Sequence, residues 1–269
     1  MDRSNPRERV AAHHREGEGV VRVPYPIGFR TTTVLRTECV TPNIIRVTVG
    51  GPGLDGFHSY QADDHVRIVF PDPDGTLRHP VPNEEQMLDW PKPFPTTRKY
   101  TVRRYDAAAR EMDIDAVVHE GGVGSAWASS VAVGDMVAVA GPPGAKSFPH
   151  NYGHYVFAVD TTALPAAARW LEESPSDVSA HVVIETDDAA DHAYPLASRE
   201  GVSVTWLVRS DARSSLAETV QGLELPDTRT FLFAAGESDD IKPLRAWSKG
   251  RLDSLFTGYW KRGVADLED

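Results

Sequence analysis

Two kinds of hydrophobic pattern divide the chain. In the first half, short runs rich in β-branched residues stand between turn signals. Thr31 to Val40 and Ile44 to Val49 flank Thr41-Pro42-Asn43, and Gly50-Gly51-Pro52-Gly53 closes the pair. Asp64 to Phe70 reads as a third strand, and Lys99 to Arg103 has strand composition. Met112, Ile114, Ala116 and Val118 alternate with Glu111, Asp113, Asp115 and Val117, the period of two expected of a strand. Met136 to Ala140 follows the turn Val133-Gly134-Asp135 as a buried strand, and Gly141-Pro142-Pro143-Gly144 stops it. Several strands joined by turns predict an antiparallel β-barrel over residues 20–148. Residues 71–97 break the rhythm with seven prolines, from Pro71 to Pro95, and predict a long loop. That loop either lies over a site on the next strand or is an exposed connection.

After Gly144 the pattern changes. Tyr155 to Val159, Ala180 to Glu185, Val202 to Val208 and Thr230 to Ala234 are apolar runs. Helical stretches at Ala166–Glu173, Ser214–Val220 and Asp239–Lys249 fall between or after them. Strands alternating with helices predict a parallel sheet with helices on its faces over residues 149–269, a three-layer α/β domain. Ligands of such sheets bind outside the carboxyl ends of the strands. Residues 1–19 are charged and polar and predict a flexible arm, in which His13-His14 reads as solvated rather than as a metal site.

The chain has 269 residues, 41% hydrophobic and 25% charged, as expected of a globular protein with room for two cores. Its net charge of −11 argues against nucleic-acid binding and against attraction to an anionic membrane, so an anionic substrate would need a local basic patch. One cysteine, Cys39, excludes internal disulfides and a cysteine-ligated cluster; it sits in an apparent strand and reads as a small core residue. No apolar run predicts a signal peptide or a membrane span, and a cytoplasmic monomer is expected.

The candidate chemistry lies between Arg98 and Gly144. Alternation places Arg98 and Tyr100 on one strand face and Lys99 and Thr101 on the other. An Arg fork beside an aromatic ring suits a flat ring joined to phosphates, and the Thr101 hydroxyl could bond polar ring atoms. The next strand ends at His119. Gly121, Gly122 and Gly124 then allow close approach, and Ser125 reads as the N-cap of a short helix from Ala126 to about Val131. Free N–H groups at that helix start would share a pyrophosphate with Arg98. Taken singly, Arg98 to Thr101 fits an ordinary surface strand better and the glycine run fits a hairpin corner equally well; their order and spacing together favour a flavin cradle. No residue set suggests a catalytic nucleophile or a resident metal.

Together, Arg98-Lys99-Tyr100-Thr101, Gly122-Val123-Gly124-Ser125 and Gly134-Asp135 with Gly141-Pro142-Pro143-Gly144 resemble the flavin domain of the ferredoxin–NADP reductase superfamily. Arg103, His119 and Trp127-Ala128 make the chain most similar to one branch, the siderophore-interacting proteins, which are FAD-dependent ferric-siderophore reductases. The proline-rich insert, Asp160-Thr161-Thr162 before Ala163-Leu164-Pro165, Ala235-Gly236-Glu237 and the closing Gly258-Tyr259-Trp260 extend that resemblance over nearly the whole chain. Lys261 stands where the family usually has Arg. The resemblance implies that Arg98, Gly122, Gly124 and Ser125 hold the FAD pyrophosphate. Tyr100 and Thr101 would hold the isoalloxazine, His119 would border the FAD, and Val102 and Trp127 are further cofactor-binding candidates.

In the second domain a glycine-rich turn is missing. Asp160, Thr161, Thr162 and Glu237 are the candidates for an NADH or NADPH site, with a ferredoxin as the other electron donor. Asp160 would repel a pyrophosphate unless screened. Glu237 reads equally as a ligand contact or a helix cap. A ferric siderophore is often anionic, and Lys146, Lys242, Arg245, Lys249 and Arg262 are the basic candidates to meet it in a site between the domains. The implied fold is a flavin-binding barrel followed by a ferredoxin-reductase-like NAD(P)-binding domain. The implied reaction is reduction of Fe(III) to Fe(II). A general NAD(P)H:flavin oxidoreductase and a non-catalytic siderophore carrier remain as other readings.

Overall fold

The computed structural model describes residues 2–210 and 213–264. The chain divides into two units, one of residues 2–11 and 21–147, the other of residues 12–20 and 148–210 and 213–264. The last five residues of the expected second domain, 265–269, and Met1 of the expected arm lie outside the described residues.

The first unit is built on seven antiparallel strands. These are β2 (Phe29–Thr41), β3 (Ile44–Gly50), β4 (His65–Val69), β7 (Thr97–Thr101), β8 (Arg104–Asp106), β9 (Glu111–Val117) and β10 (Met136–Ala140), in the order β7-β4-β10-β2-β3-β9-β8. Val34, Val47, Val49, Val66, Ile68, Met112, Ile114, Val137 and Val139 supply its core, the inward set of each alternating strand. The acidic positions of β9 are not solvated. Asp115 and Asp113 stand directly opposite Arg46 and Thr48 of β3, and both are buried. Arg46 donates twice to Asp115, at 2.7 and 2.8 Å, and Thr48 and Arg104 each donate to Asp113 at 2.7 Å. Paired charges fix the register where an unpaired carboxylate would be costly. A separate ribbon pairs β1 (Val21–Pro24) with β11 (Gly144–Ser147).

The second unit has five parallel strands: β12 (His154–Asp160), β13 (Ser179–Thr186), β14 (Val202–Val208), β15 (Thr230–Glu237) and β16 (Asp253–Trp260), in the order β14-β13-β12-β15-β16. Helices α4 (Leu216–Gln221) and α5 (Ser238–Ser248) cover one face through Leu216, Val220, Ile241 and Leu244 against Val156, Ala158, Leu232 and Ala234. On the residues of opposite parity, Trp170 of α3 (Leu164–Glu173) packs on Tyr155 at 4.7 Å and Phe157 at 4.6 Å between ring centroids. This is the three-layer arrangement expected from the alternating pattern.

Several expectations change. Residues 6–16, read as an arm, form helix α1 (Pro6–Glu16). Val10 packs with Val23, Tyr25 and Ala145 in the first unit. In the second unit, His14 stacks on His150 at 3.9 Å and Asn151 donates to the Arg15 and Gly17 carbonyls. Tertiary docking makes a helix there that composition alone would not. Cys39, read as a core residue, is exposed, because its β2 neighbours from Leu35 to Glu38 are exposed as well. The 71–97 loop contains a small hairpin, β5 (Val81–Pro82) with β6 (Leu88–Asp89), and Leu88 and Trp90 pack against Val69, Ala138 and Ala140. Gly258-Tyr259-Trp260 forms the end of β16.

Candidate functional site

Strand β7 and helix α2 (Val123–Ser130) bring most of the cradle residues together. β7 pairs with β4 so that Arg98 stands opposite Ile68 and Tyr100 opposite Val66, both core residues. Arg98 and Tyr100 therefore share the face that looks toward α2. The approach is close: a Cβ on Gly124 would lie 2.0 Å from the Tyr100 hydroxyl and 3.5 Å from Arg98 Cγ. Trp127, one turn on, meets Tyr100 at 6.0 Å and Phe70 at 5.9 Å between ring centroids, and both rings pack on the barrel core. Burial pushes the Tyr100 phenol up to about 12, against the opposing influence of Arg98, so it stays protonated and neutral.

Ser125 does not cap α2. Helix α2 begins two residues earlier, with Gly122 as its N-cap and no side-chain cap. The Ser125 hydroxyl instead accepts from the His119 N–H at 2.9 Å and donates to the Val117 carbonyl at 3.2 Å. It ties the end of β9 to the helix start. Gly121, at φ 78°, makes the corner between them. The His119 ring is exposed and lies beside Gly122, where a Cβ would sit 2.5 Å from its Cε1.

Thr101 faces the other side of β7. Its side chain is 5% exposed, and its hydroxyl is buried with no hydrogen-bond partner. A buried hydroxyl left unpaired costs about 1–3 kcal/mol, and polar atoms of a bound group would remove that cost. Val102 is buried in the core and its N–H donates to the Asp64 carbonyl at 2.8 Å, so it supports the strand end by its backbone. A fork at Arg98, a ring at Tyr100, an orphaned hydroxyl at Thr101 and a glycine-cleared helix start fit a flat polar ring joined to a pyrophosphate. These residues fit FAD.

In the second unit, Asp160, Thr162, Glu237 and Trp260 gather at the carboxyl ends of β12, β15 and β16. Asp160 is buried and accepts from five donors: the N–H and hydroxyl of Thr162 at 2.8 and 2.6 Å, the Ala163 N–H at 3.3 Å, the Glu237 N–H at 2.8 Å and the Trp260 indole at 2.7 Å. Burial still raises its carboxyl above the usual range, with those bonds opposing the shift. Thr161 is buried beside it. Glu237 is the N-cap of α5: it accepts from the Asp239 and Asp240 N–H groups at 2.6 and 2.9 Å, and from the Arg262 N–H at 2.9 Å.

The basic candidates fall in both units. Lys146 belongs to β11 in the first unit, opposite Arg22. Lys242 and Arg245 are exposed on α5 and Lys249 is exposed at its C-cap, with Arg245 over the Phe256 ring at 4.9 Å. Arg262 lies 5.6 Å from the Trp260 ring centroid and pairs with Asp240 at 2.9 Å. Arg67 and Lys99 stand side by side on the Thr101 face. The alternation of β4 and β7 carried that signal, but only the register between the strands pairs them. Among the described residues no three His, Cys, Asp or Glu are grouped to hold a metal.

Known proteins match both units. Residues 33–146 match the siderophore-interacting FAD-binding domain and residues 152–263 the siderophore-interacting protein family. The ferric vibriobactin reductase ViuB of Vibrio cholerae is 34% identical over 245 residues, covering 87% of this chain and 90% of that one. The NADPH-dependent ferric-chelate reductase of Escherichia coli is 35% identical over 229 residues, 83% of this chain and 87% of that one. A siderophore utilization protein from T. fusca superposes with a TM-score of 0.86 at 38% identity, covering 93% of this chain and 98% of the other.

Proposed function

The chain belongs to the siderophore-interacting protein family, and from that premise we propose that it is an FAD-dependent oxidoreductase that reduces the iron of a ferric siderophore to Fe(II), with electrons from NAD(P)H. The observation that carries the reading is the buried Thr101 hydroxyl without a partner, next along β7 from Tyr100, whose own face meets the glycine-cleared start of α2. Bound FAD supplies the step between a two-electron donor and a one-electron acceptor. The protein supplies position and electrostatics. Arg98 and the free N–H groups of α2 bind phosphate charge, Tyr100 presents a ring face, and Thr101 donates or accepts at the ring edge. Trp127 packs Tyr100 in place. Fe(III) is the harder, more highly charged ion, so its reduction loosens oxygen-donor chelation and frees the metal. The iron is substrate, held by its own chelator.

Within this reading the barrel domain, residues 20–148, binds FAD and the α/β domain, residues 149–269, receives the donor at Asp160, Thr161, Thr162 and Glu237. A ferredoxin is the alternative donor, and the protein works as a cytoplasmic monomer. No helix among the described residues is long and apolar enough to cross a membrane. The test is an absorbance spectrum of the purified protein, followed anaerobically with NADH, NADPH or reduced ferredoxin. Flavin bands that bleach and recover on adding a ferric siderophore support the reading and identify the donor. Bands that recover equally with free flavin or simple ferric salts point to a general reductase. A colourless protein that FAD does not reconstitute removes the argument.

A further inference from the structure

At the carboxyl ends of β13 and β14 stands a guanidinium whose three nitrogens are all engaged. Arg209, just past the end of β14, has a side chain only 9% exposed. Its Nε donates to Asp187 at 2.9 Å, its Nη1 donates to Asp240 at 2.5 Å, and its Nη2 lies 3.1 Å from Glu185. Asp240 is shared, since Arg262 meets it at 2.9 Å. Glu185 is buried and also holds the start of α4, where it accepts from the Ser215 N–H at 2.7 Å. Asp187, in contrast, has a side chain 77% exposed, and Asp188 follows it on the surface.

The strand order says what this cluster can meet. β12, β13 and β14 build outward in one direction and β15 and β16 in the other, so the crevice of the sheet lies at the carboxyl ends of β12 and β15. Asp160 and Glu237, assigned above to the donor, end those two strands. A dinucleotide that crosses such a crevice lays the ribose of its adenosine half beside the neighbouring strand ends, where a carboxylate receives a 2′-hydroxyl and an arginine a 2′-phosphate. Both residue types are present here, and the way they pair decides between the two. We propose that Asp187, Asp240 and Glu185 lock Arg209, so that this end of the site takes a ribose diol and rejects a 2′-phosphate, which makes NADH rather than NADPH the nucleotide donor. The inference deepens the donor reading and rests on it. A 2′-phosphate brings about two negative charges to Asp187 and Asp188, and Arg209 meets it only by leaving its own carboxylates. A diol brings donors instead, which the exposed Asp187 and Asp188 carboxylates accept with Arg209 undisturbed. The same groups therefore attract one nucleotide and repel the other. Arg213, exposed beyond Ser210, is the cation through which the opposite preference would act.

ADP-ribose and its 2′-phosphate carry this part of the two nucleotides without the nicotinamide, so their binding to the FAD-loaded protein, followed by calorimetry, does not depend on flavin reduction. ADP-ribose should bind at least about ten-fold more tightly, and raising the salt to about 0.5 M should narrow the difference. Asp187→Asn/Asp188→Asn changes only surface side chains. It should tighten the 2′-phosphate about ten-fold and weaken ADP-ribose by no more than about three-fold. Adding Arg209→Gln to that variant should remove the gain, since the freed guanidinium is what receives the phosphate. Flavin reduction by NADH and NADPH in stopped flow should show the same order and the same narrowing. Equal or tighter binding of the 2′-phosphate by wild type overturns the proposal, as does a preference that Asp187→Asn/Asp188→Asn leaves unchanged. Tight binding of the 2′-phosphate that Arg213→Gln abolishes assigns the opposite preference. Binding of neither fragment overturns it too, and where only reduced ferredoxin then bleaches the flavin, the nucleotide-donor reading falls with it. Fragments that bind alike, with the flavin bleached by both nucleotides, count against the Arg209 lock alone.

Discussion

Gly124→Ala separates the geometry of the cradle from ordinary helix chemistry, because the two push in opposite directions. Gly124 is buried inside α2, where Ala is favoured over Gly by about 1 kcal/mol of helix propensity. A new Cβ, however, would lie 2.0 Å from the Tyr100 hydroxyl and 3.2 Å from its Cζ. Tyr100 packs on the barrel core and meets Trp127, so it does not swing aside as a surface side chain would. Overpacking of this kind costs about 1–3 kcal/mol. The net expectation is a loss of up to about 2 kcal/mol, expressed as FAD affinity lowered by up to roughly 30-fold if Tyr100 tilts to admit the methyl group. Titrating apoprotein with FAD and following flavin fluorescence measures it. Gly122→Ala makes a different contact: its Cβ meets the exposed His119 ring, at 2.5 Å, which can move away, and the Ser125 hydroxyl at 3.1 Å. Adding Tyr100→Phe to Gly124→Ala removes the nearest atom and should restore much of the affinity. Unchanged FAD binding in Gly124→Ala, or no rescue by Tyr100→Phe, would refute the placement of Tyr100 in the cradle.

Three further outcomes are expected. Arg98→Ala should purify with little or no FAD, read from the flavin absorbance per protein; full occupancy would remove Arg98 from the phosphate site. Thr101→Val should leave the apoprotein as stable or up to about 1 kcal/mol more stable, because it removes an unpaired buried hydroxyl. It should also weaken FAD binding, and a thermal melt with and without FAD distinguishes the two effects. His150 is held at about 3, below its ordinary 6.5, by burial and then by the neighbouring His14, Arg199 and His13. A depressed imidazole favours the fold while neutral, so that stability is complete above 6.5 and is lost as pH falls toward 3. Between pH 7 and pH 5 the loss should be about 2 kcal/mol. A His150→Phe variant whose urea midpoint falls as steeply over that range would show that His150 is not the group responsible.

The sequence was legible where one residue's environment is set by its near neighbours along the strand. The alternation in β9 marked Met112 and Ile114 as core, and the three glycines after His119 marked the corner before α2. It was less legible wherever a long-range partner decides. Ser125 has an N-cap's chemistry, yet its hydroxyl is taken by the end of β9, which pulls the helix start back to Val123. Helix α1 has too little apolar character to be expected alone and exists through Val10 and His14, each docked on residues far along the chain. Arg67 and Lys99 are unremarkable cations until the β4–β7 register sets them side by side.

Asp160 shows how a departure from a superfamily pattern is absorbed. The first turn of a dinucleotide-binding sheet is usually glycine-rich so that phosphate can approach the backbone. Here a carboxylate fills that turn, and its repulsion toward an anion was the expected consequence. The structure instead surrounds it with N–H, hydroxyl and indole donors from Thr162, Ala163, Glu237 and Trp260. Gly236, at φ 139°, is the matching accommodation on β15, since a Cβ there would lie 2.5 Å from the Asp160 carboxylate. The carboxylate thus joins the ends of β12, β15 and β16 into one hydrogen-bonded unit and fixes the Trp260 indole. Its raised titration weakens the argument from repulsion further. Asp160→Asn would set an amide NH2 among groups that are all donors, leaving several buried N–H groups unpaired at about 1–3 kcal/mol each. A thermal melt should therefore show a large loss of stability. If Asp160→Asn instead melts like wild type, the carboxylate is not the hub of the strand ends.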